Sequence, residues 1–244
     1  NGNLEVATLL IVNGADLEAK SRYGSTALKS AVSRNKRECI TLLIENGADI
    51  DAKDRYGNTA LIGIVAPISK RFYEYGGDRI EIIFLLIKNG ADVTATNNIG
   101  ESALMIAATS NRNLEIVTLL IENGADIGAK SKAGKTALMY AAGNGDLEVV
   151  TLLIENGADI GAQDKEGKTA LMYSTSFFWY STRNLEVLTL LIENGADIGA
   201  QDAEGKTALF YAADAGNLEA VPLLKEMEAV IGAKSKAGET TLMY

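Results

Sequence analysis

The chain has 244 residues, 47% of them hydrophobic, and a formal net charge of −9, a balance that fits a folded chain and excludes a disordered one. The acidic excess opposes binding to nucleic acid or an anionic membrane surface and favours a basic partner at long range. A single cysteine, Cys39, excludes an internal disulfide, and the lack of any histidine removes the usual general base and zinc ligand, so no catalytic, cofactor or metal site is expected.

In chain order, Asn3 to Val12 reads as an amphipathic helix that runs into "NGAD". A turn follows, "KSRYG" (20–24), and then a second helix opening at Thr26. The same order recurs along the whole chain. "NGAD" glycines stand at Gly14, Gly47, Gly90, Gly124, Gly157 and Gly195, and a second glycine follows each at a distance of ten: Gly24, Gly57, Gly100, Gly134, Gly167 and Gly205. Each unit then opens a first helix at Thr26, Thr59, Ser102, Thr136, Thr169, Thr207 or Thr240, whose hydroxyl suits an N-cap. A second helix such as "DLEVVTLLIENG" carries Leu147, Val150, Leu153 and Ile154 on one stripe. The "NGAD" glycine falls where a helix ends on a left-handed residue. The longest apolar runs, "ALIGIVAPI" (60–68) and "IIFLLI" (82–87), are shorter than the ~18 residues of a membrane span, which favours a soluble, cytoplasmic chain.

Fixed-period self-similarity of this kind marks a repeat architecture. The chain resembles the ankyrin-repeat family, with "TALK", "TALI", "SALM", "TALM", "TALM", "TALF" and "TTLM" in place of the family's Thr-Pro-Leu-His opening. The resemblance implies an all-α solenoid of helix-turn-helix units joined by β-hairpin-like turns. One array over 1–244 is expected: a partial repeat 1–23, full repeats 24–56, 57–99, 100–133, 134–166, 167–204 and 205–237, and a partial repeat 238–244. In the last full unit Pro222 falls inside the second helix, and Glu228 and Val230 replace the Gly and Asp of "NGAD". A kinked or frayed helix is predicted there.

Unequal spacing locates the variable parts. Turn glycines from Gly24 to Gly238 are separated by 33, 43, 34, 33, 38 and 33 residues, and every extra residue lies between the two helices of a unit. The larger insertions, near 67–78 and 174–184, hold Phe72, Tyr73, Tyr75, Phe177, Phe178, Trp179 and Tyr180, seven of the chain's fifteen aromatic residues. Aromatic anchors of this type dominate interface energetics. Two readings are open: the rings contact a partner, or they lengthen a helix and fold back over the apolar rim.

On the first helices Tyr140, Tyr173 and Tyr211 recur after the Met position. The resemblance implies that they line the concave surface with which such proteins hold other proteins; the alternative is a consensus spread by duplication. The turn tips "KSRYG" and "KDRYG" add Arg22, Tyr23, Arg55 and Tyr56 as a further contact patch. Ser21, Asp54, Asp164, Asp202 and the repeated Asp of "GAD" read as backbone supports. The expectation is a non-catalytic module that binds another protein, with no nucleic acid and no membrane. The alternative is a structural segment of a longer array, or one that self-associates end to end.

Overall fold

The computed structural model describes residues 4–66, 76–110, 113–175 and 181–235, with the backbone alone at 76–78, 181–184 and 228–235. The chain divides into two compact units, one of Asn1–Ala107 with Asn113–Lys132 and the other of Ala108–Arg112 with Ala133–Tyr244. The first unit contains α1 (Leu4–Val12), α2 (Ala27–Ser33), α3 (Arg37–Glu45), α4 (Ala60–Val65), α5 (Gly76–Lys88), α6 (Ala103–Ala107) and α7 (Leu114–Glu122). The second contains α8 (Ala137–Asn144), α9 (Leu147–Glu155), α10 (Ala170–Thr175), α11 (Ser181–Glu193), α12 (Ala208–Asp214) and α13 (Ala220–Ser235). Among the described residues there is no strand; Thr96 and Ser102 form an isolated antiparallel bridge. The architecture is an all-α helical repeat.

Each repeated letter of the sequence has a structural task. Thr26, Thr59, Thr136 and Thr207 sit in extended backbone and accept the amide three residues on, and Ser102 and Thr169 do the same for Met105 and Met172. These hydroxyls satisfy amides that the first turn leaves without partners. At the other end of the motif, the Asn of "NGAD" turns its side-chain amide back to the carbonyl four residues earlier, at 2.7–2.8 Å, in all six copies. The Ala amide reaches further back, as Ala158 does to Leu153 at 2.9 Å, which is the bond that closes a Schellman end. The Asp then accepts the amide two residues on, at 2.8–3.0 Å, again in all six copies.

The two helices of a repeat pack on each other and on the next repeat: α2 meets α3 and α4, and α8 meets α9 and α10. Val149, Val150 and Leu153 of α9 are fully buried, each such side chain stabilising the fold by about 1.5–3 kcal/mol. Cys39, at the corresponding position of α3 in the first unit, is buried too. Arg37 instead pairs with Glu81 of α5 at the surface, where ion pairs contribute little.

Backbone bonds join successive turns. The amides of Arg55, Asn98 and Lys132 reach the carbonyls of Tyr23, Tyr56 and Ile99 in the first unit; those of Lys165 and Ala203 reach Ala133 and Glu166 in the second. Such an approach needs a residue without a side chain beside it. At Gly167, with φ +80°, a Cβ would stand 2.8 Å from the Ala203 nitrogen.

Helix limits differ from those of the regular repeat in two places, the first in the sense of the helix-lengthening reading. Both α5 and α11 have 13 residues against nine in α9, so four residues of each large insertion add a turn to the second helix. Arg79, in that added turn, donates from Nε to the Ile64 carbonyl at 2.7 Å and from Nη2 to those of Val65 at 2.6 Å and Ala66 at 3.2 Å. It thus fills the open carbonyls at the end of α4 with a cation, as the helix dipole favours. In the last repeat the second helix is frayed at its start. Asn217 caps it in the register of Asp146, its side chain accepting the Ala220 amide at 3.0 Å and its carbonyl the Val221 amide at 3.2 Å, but Leu218 and Glu219 form a turn and the continuous helix α13 begins at Ala220. Pro222 has no amide to give to the Leu218 carbonyl, so the helical bond after that of Val221 is missing. Without Asn-Gly to stop it, the helix continues to Ser235; Glu228 and Val230 are helical, and Asn35 is the one non-glycine with positive φ among the described residues.

The turn geometry separates two glycine substitutions. Gly157→Ala, with φ +87° and nothing within 4 Å of the added carbon, should lower stability by roughly 1–2 kcal/mol, the cost of the left-handed conformation. Gly167→Ala should cost clearly more, because the Ala203 backbone cannot give way without losing its bond to Glu166. Urea unfolding of both variants decides this; equal losses would show that the turns do not need their close approach.

Candidate functional site

In the second unit Tyr140, Tyr173 and Tyr211 occupy the same position on α8, α10 and α12, and all three are partly exposed. The Tyr173 hydroxyl donates to Asp164 Oδ2 at 2.6 Å, and the Tyr211 hydroxyl donates to Asp202 Oδ2. The other oxygen of each aspartate holds the turn, Asp164 Oδ1 accepting the Glu166 and Lys168 amides and Asp202 Oδ1 those of Glu204 and Lys206, all at 2.9 Å. Burial, followed by the bond to Asp164, pushes the Tyr173 phenol well above its usual range. The Tyr211 bond, followed by the turn amides, holds the Asp202 carboxyl below the carboxylate range. These hydroxyls are occupied within the fold, so the rings remain for contact.

Lysines lie against those rings. Lys135 Nζ is 4.6 Å from the Tyr173 centroid and 5.8 Å from that of Tyr140, and Lys168 Nζ is 5.2 Å from that of Tyr211. Lys206 Nζ stands 4.9 Å from the ring of Phe210, which meets Tyr211 edge-on at 5.8 Å. Ammonium groups over ring faces are attracted by the ring quadrupole. Lys168 and Lys206 also pair with Glu166 at 2.9 Å and Glu204 at 2.8 Å. Sequence reasoning did not single out the three lysines, although a signal was present: "GKT" precedes the tyrosine-bearing helices in this unit, whereas Ser25, Asn58 and Glu101 stand there in repeats that lack the tyrosine.

In the first unit Arg22 Cζ stands 4.5 Å from the Tyr23 centroid, and Arg55 Cζ stands 4.8 Å from that of Tyr23 and 4.6 Å from that of Tyr56. The four residues form one alternating stack. Tyr23 and Tyr56 are 46% and 55% exposed, and Ile99, at the same turn position of the next repeat, 58%. Behind them Asp54 Oδ1 accepts the Tyr56 and Asn58 amides, while Oδ2 accepts from Lys29 Nζ at 2.7 Å. Lys29, also missed in the sequence, is buried; the loss of water lowers its pKa despite the pull of Asp54. Asp54 is held below its usual range by Lys29 and the turn amides, against the effect of burial.

Phe72, Tyr73, Tyr75, Phe177, Phe178, Trp179 and Tyr180 lie outside the described residues. Among the described residues no three His, Cys, Asp or Glu side chains could share a metal ion, and no helix is long and apolar enough to cross a membrane.

The Lys29–Asp54 pair sets a pH dependence. Folded Asp54 holds its proton less tightly than a free carboxyl of pKa 3.8, so its stabilisation is complete above that value and is lost as pH falls through the lower folded value. Asp92 and Asp202 act in the same sense, whereas Asp51, raised by burial, acts in the opposite one. Asp54→Asn should therefore cost about 1–3 kcal/mol at neutral pH and less below pH 4, measured by chemical denaturation from pH 7 to about pH 3. An equal cost across that range would contradict the ion pair.

A family model described as ankyrin repeats in three copies matches residues 1–66, 73–164, 111–202 and 177–244. No curated protein matches the chain. Ankyrin repeats generally mediate protein–protein interaction and are typically non-catalytic. The overlapping matches omit only 67–72, within the first large insertion, and the chain belongs to the ankyrin-repeat family.

Proposed function

We propose that the protein is a non-catalytic binding module that grips another protein through the tyrosine-bearing first helices of its second unit. Arg22, Tyr23, Arg55 and Tyr56 at the turn tips, and the aromatic insertions around Phe72 and Trp179, serve as further specificity elements. The observation that carries this reading is the fixed presentation of Tyr173 and Tyr211. Their hydroxyls are tied to Asp164 and Asp202 and lysines lie over their rings, so broad apolar surface is offered with little freedom left to lose on docking. With its excess of acid, the chain favours a basic partner at long range.

A second reading, stacking on another repeat or another copy, is favoured by α1. None of its residues is buried, Leu9 and Val12 are 64% and 79% exposed, and a cleft of about 700 Å³ opens between Val6, Leu10, Ala27, Ala31, Cys39 and Leu43. An apolar face of this kind on a repeat is one that a neighbouring repeat covers.

A pull-down from the native source should recover a partner with the wild type and lose it with Tyr140→Ala/Tyr173→Ala, while Phe178→Ala/Trp179→Ala should lose it in part. If neither pair changes what is recovered, both surfaces are wrong. Sedimentation velocity over about a hundredfold range of concentration tests stacking: a mass that rises with concentration supports it, and a constant monomer removes it.

A further inference from the structure

We infer that the turn tips of the first unit are a docking site for an acidic peptide segment in extended conformation, its carboxylates held by Arg22 and Arg55 and its intervening apolar side chains laid on Tyr23 and Tyr56. This deepens, and rests on, the reading of the protein as a binding module. The two turns read "KSRYG" (20–24) and "KDRYG" (53–57), and their single acid is Asp54, already neutralised by Lys29 at 2.7 Å. Lys20 Nζ donates to the Lys53 carbonyl at 3.1 Å and Lys53 Nζ to that of Thr96 at 2.8 Å, so two ammonium groups run along the same series of turns. Lys53 faces the carboxylates of Asp51 and Asp92, so in a chain of net charge −9 the cations without an acid beside them in these two turns are Arg22 and Arg55 at the tips.

The arginines are also prepared geometrically. Each guanidinium carbon lies over a tyrosine ring, 4.5 Å from the centroid for Arg22 and 4.6 Å for Arg55, an attraction between cation and ring face that holds the group at the surface. Arg55 gives one donor to the Tyr56 hydroxyl, and neither arginine forms an ion pair among the described residues. A guanidinium has five N–H donors in a fork that matches a carboxylate in two parallel bonds. Because both arginines stack on the one Tyr23 ring, at 4.5 and 4.8 Å, their Cζ atoms are at most about 9 Å apart, which suits carboxylates at alternate residues of an extended strand, separated by ~7 Å. An acidic peptide meets the same repulsive field of the whole chain as a nucleic acid, but it carries one charge for every second residue instead of one per nucleotide, and its apolar side chains cover the Tyr23 and Tyr56 rings. The local pair of arginines acts at contact, where the long-range field that favours a basic partner no longer decides.

The test uses the full chain and a fluorescein-labelled peptide with aspartates at alternate positions among alanines and one leucine, read by fluorescence anisotropy. The wild type should bind it, weaken on the order of tenfold between low salt and about 0.3 M NaCl, and fail to bind the asparagine counterpart. Arg22→Gln/Arg55→Gln should lose about tenfold or more, and Arg22→Lys/Arg55→Lys should recover only part, since an ammonium neither stacks flat nor forks. These side chains are exposed, and an unchanged thermal melt shows that the variants are folded. Glu115→Gln, at an exposed position of α7 outside both surfaces, should bind the peptide like the wild type. The proposal is overturned if the aspartate peptide does not bind at low salt, if the glutamine variant binds it equally, or if an oligothymidylate of the same charge binds more tightly. Loss of the native partner in the tyrosine variants combined with any of these results would leave the binding module standing and remove this site alone.

Discussion

The backbone bond between neighbouring turns is the constraint on which the rest of the structure depends. An amide such as that of Ala203 can reach the Glu166 carbonyl only if the two turns come within van der Waals contact, and that distance fixes how closely successive helix pairs stand. Burial of Val150 and Leu153 follows from it, as does the spacing of every side chain carried on the first helices. The turn glycines are therefore packing residues as well as conformational ones. A repeat lacks a hydrophobic core of its own, and its stability is largely the interface it shares with its neighbours.

Within that frame the polar groups support before they bind. The Asp of each "NGAD" and the Asp, Ser or Asn of the turns close local loops by accepting amides two and four residues on. A carboxylate committed to two backbone donors has one oxygen left. In the second unit that oxygen orients Tyr173 and Tyr211; in the first it receives the ammonium of Lys29. The candidate surface is thus connected to the scaffold by the residues that make the scaffold, and its rings are positioned by the fold.

Features governed by local chemistry were legible in the sequence, and those governed by contacts between distant residues were not. The caps at Thr26 or Thr136 and the Asn-Gly-Ala-Asp stop depend on partners within a few residues, and a single sequence displays such partners directly. Lys29 touches Asp54, 25 residues away at the other end of its repeat, and Lys135 touches the ring of Tyr173 in the next; neither separation is a local signal. Pro222 acts locally as well: without its amide the Leu218 carbonyl loses its helical partner, and the continuous run of α13 starts only at Ala220. Lengthening of a helix was one of the two readings left open for the insertions, and the contact of Arg79 with the end of α4 is made through tertiary structure, which the sequence of one repeat does not display.

The spare oxygen of the turn aspartate has a consequence for how such a protein changes character. It behaves as a socket that accepts either a phenol from the first helix after the turn or an ammonium from the first helix before it. A phenol leaves the carboxylate negative, and the neighbouring Glu166 and Glu204 add to it; an ammonium cancels it and leaves Arg22 and Arg55 to set the sign. The backbone of the turn is the same in both cases. The electrostatic identity of a repeat can then be rewritten by one side chain buried behind the surface, while the residues that meet a partner and the stacking that supports them stay as they are.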